Sequence, residues 1–172
     1  WTWPQSATAK VVGLKLRLIA DIGADNMLLT AAIPTLTMMM ANATYDIPAI
    51  RTTLTEVFTN KSPTDAYRGA GRPEATYFVE RAMDMLAREL NMDPAEVRRK
   101  NFIQPNQFPF QTQMGAVYDS GDYEKALDAA LKAANWTGLK AERDAARKEG
   151  RLVGLGLAGL GGQLQLNACN PL

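Results

Sequence analysis

The stretch Asp65-Ala66-Tyr67-Arg68-Gly69-Ala70-Gly71-Arg72-Pro73-Glu74 joins a glycine-rich turn, two arginines and the start of a helix. Gly69 and Gly71 permit left-handed or closely approached backbone, and Pro73 suits the first position of a helix. Glu74 then adds negative charge where the helix dipole is positive. A loop that runs into a helix start presents unpaired N–H groups, which favours ligands carrying acceptor oxygens or negative charge. On local physics alone, an ordinary strand-to-helix turn with solvated arginines is the commoner outcome. Both readings stand at this point.

Outward from that loop, the residues before it read as strands. Leu14, Leu16, Leu18, Ala20 and Ile22 alternate with Lys15, Arg17 and Asp21, the period of a strand with one buried face, so Val11 to Gly23 is expected to be extended. Thr52 to Thr59 is rich in β-branched residues and reads as a second strand. Between them, residues 27 to 43 are apolar, with Pro34 inside and Met38, Met39 and Met40 in a row. Short helices around the proline and a buried strand fit that stretch equally, and the methionines suit adaptable core filling.

After the loop the helical period takes over. Phe78, Ala82, Met85, Leu86 and Leu90 share one stripe of a helix from Pro73 to Leu90, and Glu80, Arg81, Asp84 and Arg88 are expected mostly on the other. Asn91 is a plausible stop, and Asp93-Pro94 caps a short helix to Lys100. Residues 104 to 121, with Pro105 and Pro109, are expected to form an ordered loop pinned by Phe102, Phe108 and Phe110. Ser120 or Asp122 can cap a helix from Tyr123 to Ala134. A further helix from Thr137 to Glu149 carries charges that read as a solvated face. The fold class is α/β, a mixture of strands packed on the Pro73 and Tyr123 helices.

Composition narrows the chemistry. The 172 residues are 47% hydrophobic and 22% charged, with 19 basic against 18 acidic side chains, which argues against nucleic acid as the main partner. The single cysteine, Cys169, rules out disulfides within the chain and any Cys-rich metal cluster, and a reducing, cytoplasmic setting fits best. With no histidine there is no Ser-His-Asp or Cys-His machinery and no His-ligated zinc. Any demanding chemistry must come from a cofactor or another segment. No apolar stretch is long enough to span a bilayer. The chain opens on Trp1 and closes on Asn170-Pro171-Leu172, which reads as a piece of a longer polypeptide. Gly154-Leu155-Gly156-Leu157-Ala158-Gly159 formally matches the dinucleotide-binding glycine pattern, but no acidic residue follows it, so that reading fails.

Taken together, Thr64 to Thr76 (Thr-Asp-Ala-Tyr-Arg-Gly-Ala-Gly-Arg-Pro-Glu-Ala-Thr) and Met92 to Phe102 (Met-Asp-Pro-Ala-Glu-Val-Arg-Arg-Lys-Asn-Phe) resemble the molybdenum-binding large subunit of the xanthine dehydrogenase and aldehyde oxidase family. Within it the resemblance is strongest to the aerobic carbon-monoxide-dehydrogenase type. Ala20 to Ala24, Tyr45-Asp46-Ile47-Pro48, Val57 to Asn60 and Tyr118 to Tyr123 follow the same pattern in the same order. The similarity covers roughly residues 10 to 157; Trp1 to Ala9 and the residues after Ala158 depart from it. The resemblance implies that residues 1–157 are part of a molybdenum-cofactor-binding domain and that 158–172 form a divergent glycine-rich tail.

It further implies a molybdopterin cofactor, in the cytosine dinucleotide form, and oxidation of a small-molecule substrate with water-derived oxygen. Electrons would leave through partner subunits carrying 2Fe-2S clusters and FAD, in a dimer of heterotrimers. The family places its Ala-Tyr/Phe-Arg-Gly turn beside the metal, so Arg68, Gly69, Ala70 and Gly71 are the candidate cofactor contacts, and Tyr67 and Arg68 the candidate substrate-pocket residues. Members that oxidise carbon monoxide hold copper on a cysteine in this loop, where this chain has Gly69; Cu(I) needs a soft thiolate, so copper is not expected. An aldehyde or N-heterocycle is then at least as good a substrate as carbon monoxide. The family's glutamine-containing and Gly-Gly-Phe-Gly loops, and its catalytic glutamate, match nothing here. No catalytic or metal-ligating residue is therefore assigned, Glu74, Glu80 and Glu96 receive structural or surface roles, and the fragment alone should have little activity. A non-catalytic remnant and an anion-binding module without redox chemistry are the two rivals.

Overall fold

A computed structural model describes residues 9–160; Cys169 and most of the expected tail lie outside the described residues. The chain opens with a β-α-β unit: β1 (Leu14–Gly23), α1 (Ala32–Met39) and β2 (Ile50–Phe58). β1 and β2 pair in parallel, with Leu14 opposite Ile50 and Leu18 opposite Leu54, and the register shifts between Asp21 and Gly23. As the alternation predicts, one face is covered and the other open. Leu14, Leu16 and Ile22 are buried whereas Lys15, Arg17 and Ile19 are exposed.

The ambiguous Met-rich stretch resolves as a helix. Pro34 is tolerated because it falls in the first turn of α1, where an N–H would lack an intrahelical partner. Met38 is buried in the core and Met39 is largely exposed, so core filling accounts for only part of the run.

The Pro73 helix forms as α2 (Arg72–Glu89), one residue earlier than expected. Its buried face is Ala75, Val79, Ala82, Met83, Leu86 and Ala87, and it also includes Glu80. Placing Glu80 on the polar face is thereby corrected: a partner on the next helix draws the carboxylate inward. Asn91 ends this segment in a left-handed conformation, φ 51°. The Asp93 side chain then accepts from the Ala95 N–H at 2.8 Å to start α3 (Pro94–Asn101). Burial alone would raise the Asp93 carboxyl, but hydrogen bonds from Lys140 and the Ala95 N–H hold it below the ordinary carboxylate value.

Residues 104 to 121 are more regular than expected. Pro105–Gln107 makes a single 3-10 turn, and β3 (Phe110–Gln111) pairs antiparallel with β4 (Val117–Tyr118) around a turn at Gly115. Two-residue strands leave too little period to read from sequence. Phe102 stacks on Tyr45 at 5.6 Å, and Phe108 meets Tyr123 edge-on at 5.9 Å. Helix α4 (Tyr123–Ala133) is capped by Asp122 and tied to α3 by Arg99, which reaches Glu124 at 2.8 Å and Asp128 at 2.7 Å. Asn135, left-handed at φ 48°, turns the chain into α5 (Trp136–Lys148). Residues 151–160 form neither helix nor strand.

Candidate functional site

The link from β2 to α2 is held at its base and free at its crest. Close to the strands, the Asp21 carboxylate accepts from the Thr59 hydroxyl, the Lys61 ammonium and the Gly23 N–H. The Lys61 hydrogen bond, then those from Thr59 and Gly23, hold its pKa at about 2. The Ala24 N–H donates to the Lys61 carbonyl at 3.0 Å, and the Thr30 hydroxyl to the Thr64 carbonyl at 2.6 Å. Gly23 is required there, because a Cβ on it would stand 2.5 Å from the Ser62 carbonyl oxygen. None of these anchors was marked as functional in the sequence beyond the Ala20 to Ala24 and Val57 to Asn60 matches.

At the crest two tight turns follow each other. The Ala70 N–H donates to the Tyr67 carbonyl and the Arg72 N–H to the Gly69 carbonyl, both at 2.9 Å. Gly69 (φ 97°) and Gly71 (φ 81°) are both left-handed, the conformation that glycine adopts without penalty. Their surroundings differ sharply. A Cβ on Gly71 would sit 2.7 Å from the Leu36 Cβ and the Thr37 nitrogen of α1, whereas a Cβ on Gly69 would meet nothing within 4 Å. Gly71 thus wedges the turn against α1, and Gly69 faces open space.

Tyr67 is 90% exposed, Arg68 is exposed, and Gly69 and Ala70 are half-buried. Neither the Arg68 guanidinium nor the Gly69 N–H has a hydrogen-bond partner among the described residues. The Ala70 N–H, by contrast, is spent on Tyr67. The structure therefore brings Tyr67, Arg68, Gly69, Ala70 and Gly71 into one protruding turn at the positive end of α2. That crest can offer a guanidinium and an amide to an oxygen-rich anion. Among the described residues no group of three His, Cys, Asp or Glu side chains is arranged to hold a metal ion.

Behind the turn, α2 is fixed by a polar node that sequence reasoning missed. Arg98, 1% exposed, donates through Nε to Glu80 Oε2 at 2.8 Å and through Nη2 to Asp84 at 2.9 Å. Its Nη1 reaches the Pro94 carbonyl and its Nη2 also the Leu157 carbonyl, at 3.1 and 2.7 Å. The Tyr45 hydroxyl donates to Glu80 Oε1 at 2.6 Å. Burial, and then the Glu80 charge, push the Tyr45 phenol well above its ordinary pKa. The only sequence signals were that Tyr45 and Arg98 lie inside two of the matched motifs.

The model of the family described as "Molybdopterin cofactor-binding domain" matches residues 5–102. The chain belongs to that family. It is 42% identical over 154 residues to the carbon monoxide dehydrogenase large chain of Hydrogenophaga pseudoflava, covering 86% of this chain and 19% of that one. Among solved structures it superposes on a Cu,Mo-CO dehydrogenase with a TM-score of 0.75 at 34% identity, covering 87% of this chain and 20% of the other. On quinoline 2-oxidoreductase from Pseudomonas putida 86 the TM-score is 0.77 at 29% identity, covering 83% and 18%.

The α/β architecture expected from the molybdopterin resemblance is thus the one observed. The chain spans 19% to 21% of the length of the curated relatives that it matches over most of its own length. Among the described residues no helix is long and apolar enough to cross a membrane.

Proposed function

We propose that this chain is a segment of the cofactor-binding large subunit of a molybdenum hydroxylase, in which the turn from Tyr67 to Gly71 lies against the cofactor. Residues 1–157 belong to the cofactor-binding domain on this reading, and 158–172 form a divergent tail. The observation that supports it best is the left-handed turn at Gly69 and Gly71, which leaves the Arg68 guanidinium and the Gly69 N–H unspent at a helix start. The fit is to one face of an anionic, oxygen-rich group, and contacts to its other faces must come from other segments.

When bound, molybdenum with molybdopterin, in the cytosine dinucleotide form, supplies the oxidation of a small molecule with oxygen taken from water. The chain's own residues bind and orient. Arg68 holds acceptor oxygens in a planar fork, the Gly69 N–H donates to one more, and the Ala70 and Gly71 backbone keeps both aimed by anchoring the turn to α1. Tyr67 lines the substrate side. On this reading the substrate is of the carbon monoxide, aldehyde or N-heterocycle kind. Copper is not part of it, since Gly69 offers no thiolate. On this reading the partner subunits would carry the 2Fe-2S clusters and FAD that take up the electrons, in a cytoplasmic dimer of heterotrimers.

The test is made on the purified full-length complex. Molybdenum and pterin should be present in it, and Arg68→Ala should lower turnover by about 100-fold or more while molybdenum content stays within reach of the wild type. A complex lacking both metal and pterin ends the proposal. An Arg68→Ala complex with wild-type turnover removes the turn from the site.

A further inference from the structure

Helix α5 was expected to carry only a solvated face, yet its arginines gather on one side. A cleft of about 570 Å³ opens between the C-terminal end of α2, the start of α3, and α5, closed on one edge by residues 154–157. It lies about 24 Å along α2 from Arg72, far from the turn described above. Three guanidinium groups line it: Arg88 from α2, and Arg143 and Arg147 from α5. Asp84 is the sole carboxylate among its lining residues, and it shares the Arg98 guanidinium, at 2.9 Å, with the buried Glu80.

The positive charge there is answered only in part. Asp144, outside the cleft, neutralises Arg143 at 2.8 Å. Arg147 spends only its Nε, on the Val153 carbonyl at 3.2 Å, and the Arg88 guanidinium has no partner among the described residues. Met92, Trp136 and Leu155 supply apolar walls. A guanidinium is more weakly hydrated than an ammonium and can meet a phosphate or carboxylate through two parallel N–H bonds. In a chain whose net charge is only +1, such a concentration is a local feature.

We propose that this cleft binds a small amphiphilic anion: an apolar body, ring-sized or larger, bearing a phosphate or carboxylate that is gripped by Arg88 and Arg147. The volume falls within the range of roughly 300 to 1,000 Å³ in which small-molecule sites are found. The apolar walls take the body of the ligand and the arginine rim takes its charge.

Isothermal titration of the purified full-length protein with phenyl phosphate, benzoate, inorganic phosphate and benzyl alcohol tests this. Phenyl phosphate or benzoate should saturate a single site, with a dissociation constant in the millimolar range or below. Inorganic phosphate should bind more weakly than phenyl phosphate, and benzyl alcohol should not saturate. Which of the two ring anions binds better identifies the preferred head group. Arg88→Gln combined with Arg147→Gln should weaken binding about tenfold or more at an unchanged melting temperature. If the pair fails to fold, Arg88→Gln alone, at an exposed position, should still weaken it. Equal binding by the variants, equal binding of benzyl alcohol, or no saturation by either ring anion below about 10 mM overturns the proposal. So does tighter binding of a hexaglutamate peptide, which would make the cleft a protein-docking surface.

Discussion

The middle of α2 and its beginning treat charge in opposite ways. At the middle, Glu80 and Arg98 are 4% and 1% exposed, and the chain itself supplies their partners: Tyr45, Asp84, and the Pro94 and Leu157 carbonyls. At the beginning, Arg68 stands in solvent and Gly69 faces open space. A buried polar group must be satisfied from within or the fold loses several kcal/mol, so its bonding capacity is already used. A group that is to hold a ligand must keep that capacity free. The node is finished and the turn is not, and the turn runs directly into the helix that carries the node.

The largest expected effect breaks the finished side. Glu80→Ala leaves the buried Arg98 with only the part-exposed Asp84 carboxylate and strands the buried Tyr45 hydroxyl, and urea unfolding should show a loss of about 3 kcal/mol. Replacing both partners together, Glu80→Leu with Arg98→Met, should recover a large part of that loss. If the double replacement unfolds as readily as the single one, the node contributes shape rather than charge balance.

A second experiment sharpens the contrast inside the turn. Gly71→Ala combines a left-handed backbone with a clash against α1 and should cost about 3 kcal/mol or more, whereas Gly69→Ala meets only the backbone penalty of about 1–2 kcal/mol. Thermal melts of the two variants side by side give the comparison. Equal losses would mean that the turn is not braced by α1.

The smallest effect concerns the base of the loop. Asp21 titrates at about 2 rather than its ordinary 3.8, chiefly through Lys61. A carboxylate whose folded pKa is depressed stabilises the fold above the unfolded value, and that contribution fades as pH falls from 3.8 towards 2. Asp21→Asn should therefore narrow the gap in melting temperature between neutral and acid solution, by a small amount because the pair is solvent-exposed. An identical acid response in the variant would show that the anchor does not depend on charge.

Much of the fold was legible because its signals are local. The alternation in Leu14 to Ile22 placed β1, the β-branched run placed β2, and Asp93-Pro94 and Asp122 marked two helix starts through caps that the structure contains. The two glycines of the turn were recognisable because left-handed backbone favours that residue. What escaped depends on contacts distant in sequence. Glu80 reads as polar in any helical pattern, and only Arg98, 18 residues on, makes burying it favourable. The clustering of Arg88 with Arg143 and Arg147 needs α5 to fold back beside α2, which no spacing announces. Residues 27 to 43 stayed ambiguous since a continuous apolar run has no period to separate helix from strand. The crest was legible in composition and conformation; the wedge of Gly71 against α1 required the tertiary structure.

The bond from Arg98 to the Leu157 carbonyl carries a consequence for biosynthesis. Its two ends leave the ribosome 59 residues apart, so α2 and α3 can pair around Glu80 while that carbonyl is still inside the exit tunnel. The guanidinium keeps one contact open to water until the later segment is translated and laid across it. Translation order thus makes the docking of that segment a late event, and a nascent chain stalled before Leu157 would expose the gap it leaves.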